Sequence, residues 1–225
     1  MDEHILARHK AAMEKFSLDA MVAYSTDNVG YGLGYLIQSQ VLGTRNRQFA
    51  VAVNKDGTAG ALLTSNEAVE AQTRSLITDL RPYDEFADDP MAVLAGLLKD
   101  LGVAEGRIGL EMDAIPADRW EDLKRHLPRA QWEHGAEAYH FARMVKTPME
   151  LDRMRRASRI ADLSQAKAHP HVKAGVTERE VYRRVVDEAI VQGADRVLMV
   201  QVAAGERSAF SNPTPSDYKL QKGEV

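Results

Sequence analysis

The sequence predicts a mixed α/β region up to about residue 142 and a helix-dominated region from 143 to Val225. Three observations carry this. Short apolar runs alternate with amphipathic stretches as far as residue 134, the pattern of a mixed sheet with flanking helices. Asp56-Gly57 separates two β-rich runs, a hairpin signal. From Thr147 onward the helix starts are strongly marked.

Ile5, His9, Ala12 and Phe16 recur at helical spacing, with Leu6 and Met13 beside them, so residues 2–16 read as a helix. Leu18 to Tyr24 is a short apolar run, read as a buried strand. In TDNVGYGLGY, Gly30, Gly32 and Gly34 alternate with larger residues. Their spacing departs from the dinucleotide fingerprint and no strand-to-helix junction is evident, so a structural turn is expected. Phe49–Val53 and Thr58–Thr64 read as paired strands, followed by a helix over 66–74 and a strand over 76–80. Asp89-Pro90 supplies an N-cap and a proline at the first helical position, with Gly102 closing that helix. Arg107–Glu111 is a strand, Pro116 opens a helix to His126, and Gln131–His134 is a last short strand.

Thr147-Pro148-Met149-Glu150 has the form of a capping box, as does Thr177-Glu178-Arg179-Glu180. The first helix carries Leu151, Met154, Ala157, Ala161, Ser164 and Ala168 along one side, and the second carries Val181, Val185 and Ala189. Leu198–Ala203 reads as a strand. The final stretch, SNPTPSDYKLQKGEV, reads as a loop and tight turn entering a strand whose remainder would lie beyond Val225.

A net charge of -4 and a pI near 6.0 give no bulk attraction to nucleic acid or to an anionic membrane. The chain has no cysteine, which excludes disulfides and thiolate metal sites and is compatible with the cytoplasm. MDEHILARHK lacks the architecture of a secretory signal, and no apolar run approaches the ~18 residues of a membrane span.

RMVKTPMELDRMRRAS, then GVTEREVYRRV, then AAGERSAFSNPTPSDYKLQKGEV resemble, in order and spacing, the start of the catalytic domain of the creatinase, prolidase and aminopeptidase P family. YGLGYLI and the Asp-Gly hairpin are similar to that family's N-terminal domain. The resemblance implies an α/β creatinase-like N-terminal domain over 1–142 and the truncated start of an α+β pita-bread domain over 143–225. It implies a metal-dependent hydrolase of the Xaa-Pro peptidase type, acting on small peptides as a homodimer. Alternatives are a creatinase-like or ectoine-hydrolase-like C–N hydrolase acting on a small amide, and a noncatalytic binding module on the same scaffold. The family's two divalent ions (Mn, Zn or Co) are held by two Asp, one His and two Glu. All five are expected beyond Val225, so no metal ligand is assigned here and the chain alone is expected to be inactive.

Asn212 stands where the resemblance places a histidine. Its amide can donate a hydrogen bond but cannot shuttle a proton near neutral pH, which points to a changed substrate or mechanism. The competing reading is a turn asparagine before Pro213. Arg47, with Arg45 as second choice, falls where relatives place an arginine that grips a substrate carboxylate across the dimer. A guanidinium fork suits that task, and a solvated loop arginine is the alternative. His169-Pro170-His171 reads as a helix-terminating loop. Arg153, Arg155, Arg156 and Arg159 read as a solvated helix face paired with Asp152 and Asp162. Glu111, Asp113 and Glu121 have no spacing that favours catalysis.

Overall fold

The structure, a computed structural model, describes residues 1–43 and 46–224 of the chain. It divides into two compact units, Met1–Thr147 and Pro148–Val225.

In the first unit the elements run α1 (Glu3–Phe16), β1 (Ala20–Ala23), α2 (Thr26–Leu33), α3 (Gln38–Val41), β2 (Ala50–Asn54) and β3 (Ala59–Thr64). They continue with α4 (Ala68–Arg74), β4 (Asp79–Tyr83), α5 (Pro90–Asp100), β5 (Arg107–Leu110), α6 (Ala117–His126), β6 (Gln131–His134) and α7 (Ala136–Met144). The strands form one sheet in the order β4-β3-β2-β1-β5-β6. β2 is antiparallel to both neighbours, and the other pairs are parallel, so the sheet is mixed.

Period-2 alternation divides the strand side chains between two apolar cores. Met21, Ala23, Val51, Val53, Ala61 and Leu63 share one with Met13 of α1, Leu33 of α2 and Tyr139 of α7. Ala20, Val22, Ala52, Leu62, Ile108 and Leu110 share the other with Leu94 and Leu97 of α5 and Leu123 of α6. The arrangement is three layers, helices covering both faces of the sheet.

Two sequence expectations need correction here. The glycine-rich stretch is a helix, α2, entered from β1 through Ser25, whose Oγ accepts from Asn28 N. Glycine is needed inside it for close approach rather than for a turn. A Cβ at Gly32 would lie 2.8 Å from Val51 Cγ1. Second, β4 begins at Asp79, not Leu76. Residues 76 and 77 spend their N–H groups away from β3: Ile77 N donates to Ser75 Oγ at 2.9 Å and Leu76 N to Leu33 O, at the end of α2, at 2.9 Å. Pairing with β3 starts at Gly60↔Asp79, and Pro82 is accommodated because β4 is an edge strand.

The second unit contains α8 (Pro148–Ala168), a 3-10 turn over His169–His171, α9 (Glu178–Val191) and a 3-10 turn over Gly205–Ala209. α8 and α9 pack against each other, and the buried residues include small ones, Ser164 and Ala168 on α8 and Ala189 on α9. The second capping box forms: Glu180 N donates to Thr177 Oγ1 at 3.1 Å and Thr177 N to Glu180 Oε2 at 2.8 Å. An antiparallel bridge Thr177↔Lys219 ties the segment after Asn212 back to the start of α9. Leu198–Ala203 forms no strand, contrary to its composition. No ladder partner for it occurs among the described residues, and Leu198 and Met199 are exposed.

Candidate functional site

A pocket in the second unit has a volume of about 400 Å³. Tyr182 of α9, Leu198, Met199, Gln201, Asn212 and Pro213 contribute to its wall. Asn212 therefore lines a concavity. Its Oδ1 accepts from Gln201 Nε2 at 2.8 Å, and the same nitrogen donates to Ser211 O at 3.1 Å. Arg179, also on the wall, donates from Nε to Asp217 Oδ1 at 2.9 Å. The pocket offers amides, a phenol and apolar surface, and neither Asn212 nor Gln201 can move a proton at neutral pH.

One carboxylate shapes that wall. The Glu178 side chain is fully buried in the first turn of α9. It accepts from Ser216 N at 2.9 Å, Ser216 Oγ at 2.7 Å, Ala204 N at 3.1 Å and Arg207 Nε at 3.1 Å. Arg207 in turn donates from Nη2 to Thr214 O at 2.8 Å. Burial by itself raises a carboxyl pKa, but these donors prevail and hold Glu178 below the usual range. The loops on either side of the pocket are thus gathered onto one buried charge. Sequence reasoning saw Glu178 only as part of a cap; nothing local marks it as a hub.

Arg47 is in the first unit and is already engaged. Its Nε lies 2.7 Å from Glu85 Oε2 and its Nη2 3.1 Å from Glu85 Oε1, a side-on fork. This pairing raises the guanidinium pKa further. The Nη1 group lies outside the fork. Arg45 lies outside the described residues. Glu85 helps line a second pocket of about 280 Å³ with Asn46, Tyr83, Asp88, Asp89 and Arg119.

Glu111 was dismissed by spacing, and the structure gives it a structural task. It is buried where β5 ends and accepts from Tyr24 N at 2.7 Å, Ser25 N at 2.9 Å, Ser25 Oγ at 2.9 Å and Asn28 Nδ2 at 2.6 Å. It occupies the N-terminal end of α2, where helical N–H groups favour an anion. Asn28 Oδ1 then accepts from Arg143 Nη1 at 2.6 Å, linking β5, α2 and α7. Only the fold, placing residues 83 to 115 positions apart together, exposes this network.

The remaining candidates stay apart. His169 and His171 are exposed in the 3-10 turn, and the four arginines of α8 are exposed along its length. No ion pair joins those arginines to Asp152 or Asp162 among the described residues, in keeping with the small energy of exposed pairs. Among the described residues no three His, Cys, Asp or Glu gather as a metal site. The described side chains therefore offer no such ligand set. No helix among them is long and apolar enough to cross a membrane.

A mixed sheet covered by helices on both faces, followed by a helical unit with a pocket lined in part by α9, defines a two-unit α/β protein. Residues 6–145 match the creatinase/prolidase N-terminal domain, and residues 152–225 match metallopeptidase family M24. The chain belongs to the creatinase/prolidase family. It is 26% identical over 227 residues to creatinase from Bacillus sp. strain B-0618, covering 97% of this chain and 53% of that protein. It is 26% identical over 226 residues to the probable dipeptidase PepE of Mycobacterium tuberculosis H37Rv, covering 100% and 59%. The crystal structure of a prolidase from Thermococcus sibiricus superposes with a TM-score of 0.81 at 20% identity, over 100% of this chain and 60% of that one. The chain thus spans somewhat over half the length of each of these three proteins.

Proposed function

We propose that this chain serves a metal-dependent hydrolase of the Xaa-Pro peptidase type, as its creatinase-like N-terminal domain and the leading part of its pita-bread domain. The observation that carries the reading is the succession, in one chain, of a creatinase/prolidase N-terminal match and a metallopeptidase match, with a pocket of about 400 Å³ inside the second. In this reading the substrate is a small peptide and the two divalent ions are held by residues other than those described. Such ions, when bound, would supply an activated water and Lewis acidity toward the scissile carbonyl. The parts assigned to this chain are binding and orientation. Asn212 donates a hydrogen bond to a substrate oxygen, Glu178 holds the Asn212–Pro215 wall in place, and Arg47 holds a substrate carboxylate across a homodimer.

A second reading, a creatinase-like C–N hydrolase of a small amide, draws support from Asn212 at the histidine position and from the creatinase relative. The two are separated by assaying the protein that carries this chain, with and without Mn, Zn or Co, on Xaa-Pro dipeptides, creatine and ectoine. Metal-dependent release of proline is the expected result. Cleavage of creatine or ectoine alone selects the second reading, and the absence of any cleavage sinks both. Asn212→His is expected to change kcat by tenfold or more and to add a limb to the pH profile near the ordinary histidine pKa of about 6.5. Unchanged kinetics would reduce Asn212 to a turn residue.

A further inference from the structure

We propose that Gln201 decides which end of the Asn212 amide is free to face the pocket, and thereby makes the pocket select an occupant bearing a carbonyl or carboxylate oxygen. This deepens, and rests on, the reading of the pocket as a substrate site.

A carboxamide has a donor end and an acceptor end, and its neighbours choose between them. Here the choice starts from a group with only one role. The Ser211 backbone carbonyl can only accept, and Gln201 Nε2 lies 3.1 Å from it. Gln201 must therefore direct its NH2 group, not its oxygen, to this side. The same Nε2 lies 2.8 Å from the Asn212 side chain. Facing a donor, Asn212 must present Oδ1. Both Nε2 hydrogens are then used, and so is the Asn212 oxygen. The two N–H bonds of Nδ2 are what Asn212 has left for the pocket it lines.

The neighbouring wall sharpens the preference. Pro213 has no N–H, Leu198 and Met199 are apolar, and the Arg179 Nε is spent on Asp217. An occupant that ends in a hydrogen-bond donor meets a donor at Asn212 and gains nothing there. One that ends in an oxygen acceptor gains a directed bond. Gln201 is thus a positioning residue. The two side chains are solvent-accessible, so the pair governs orientation far more than stability.

Gln201→Glu is the discriminating variant. A carboxylate accepts only, so it releases Ser211 O and obliges Asn212 to turn its NH2 toward residue 201 and its oxygen to the pocket. Side-chain amide NMR of the 225-residue chain reads this directly. In the parent, the Gln201 Nε2 protons should exchange slowly with water and the Asn212 Nδ2 protons fast. In Gln201→Glu the Asn212 Nδ2 protons should become the protected pair. Glycyl-proline is the probe for selection. Its Kd should weaken at least tenfold in Gln201→Glu, yet differ less than twofold between Asn212→Ala and the double variant. Gln201→Leu, which frees Asn212 without inverting it, should weaken binding less than Gln201→Glu; an equal or greater loss marks collapse of the wall and overturns the proposal. Unchanged Asn212 exchange in Gln201→Glu overturns the amide orientation and everything built on it. An inverted amide with unchanged glycyl-proline Kd overturns the selection. If glycyl-proline leaves the parent Asn212 signals unmoved, it is the substrate-site reading that fails, whatever the amide does.

Discussion

Met1–Thr147 buries Leu, Ile, Val and Tyr side chains on both faces of a sheet, whereas Pro148–Val225 is organised around one carboxylate. In the first unit, Leu33, Leu62, Leu63, Leu94 and Leu97 are almost wholly withdrawn from water. Each fully buried side chain of that size contributes roughly 1.5–3 kcal/mol. The second unit buries only small or medium apolar residues among those described, such as Ala168, Val181, Ala189 and Ala204, and leaves Leu151, Met154, Ile190, Val191, Leu198 and Phe210 exposed. Loss of one apolar side chain in the first unit is shared among many contacts. Loss of Glu178 in the second leaves four hydrogen-bond donors stranded at once.

The largest expected effect follows from that asymmetry. Glu178→Ala strips the donors of Ser216, Ala204 and Arg207 of their acceptor and leaves the Arg207 guanidinium without its buried partner. Leaving a buried donor without its acceptor costs about 1–3 kcal/mol. Hydrogen–deuterium exchange should show residues 175–220 losing protection while β1, β2 and β5 keep theirs. Limited trypsin digestion should then cut at Arg143 or Lys146, at the end of α7, and leave a resistant N-terminal core. Equal loosening of both units would mean that they do not fold as separate bodies.

A smaller effect contrasts two glycines inside one unit. Gly→Ala within a helix ordinarily stabilises by about 0.5–1 kcal/mol. A methyl group added at Gly96 in α5 would meet open space, so Gly96→Ala should follow that rule. Gly32 in α2 faces Val51 Cγ1, which a Cβ would approach to 2.8 Å, so Gly32→Ala should reverse the sign and cost about 1–3 kcal/mol by overpacking. Denaturant midpoints of the two variants moving in the same direction would refute the close approach of α2 to the sheet.

Much of this difference between units was legible in the residues themselves. Capping patterns marked α5 at Asp89-Pro90 and α9 at Thr177-Glu180, because a cap is a local hydrogen bond written in neighbouring positions. Asp56-Gly57 marked the pairing of β2 with β3 because a hairpin turn is written between the two runs it joins. α2 was hidden because Gly32 answers to Val51, which only the fold brings near. Leu198–Ala203 misled because strand composition states a preference and not a partner. The candidate site divides the same way. Asn212 could be singled out by position, while Gln201, Glu178 as a hub, and the Glu111–Asn28–Arg143 chain depend on contacts between distant residues.

Acid should separate the two units by pH window, the smallest effect and the one that compares them most directly. In the first unit His9 is buried on α1, its Nδ1 2.9 Å from Ile5 O, between the rings of Tyr31 and Tyr139 at 5.7 Å. Burial, reinforced by the nearby Arg143 charge, lowers its pKa in spite of the Ile5 hydrogen bond. The folded state therefore binds a proton there less readily than the unfolded chain, whose histidine titrates near 6.5. Stability of the first unit should be level above that pH and fall below it until the lowered folded value is passed, by at most roughly 1.4 kcal/mol per pH unit. Glu178 in the second unit also has a lowered pKa, but its unfolded reference is near 4.3. Its contribution should be intact at pH 5.5 and be lost only as the pH falls through the still lower folded value. Between pH 6.5 and 5 the first unit should thus weaken while the second holds, and His9→Gln should abolish the difference. Residue-resolved exchange at pH 7, 5.5 and 4 measures both; a second unit that loosens first would show that Glu178 is not what holds it.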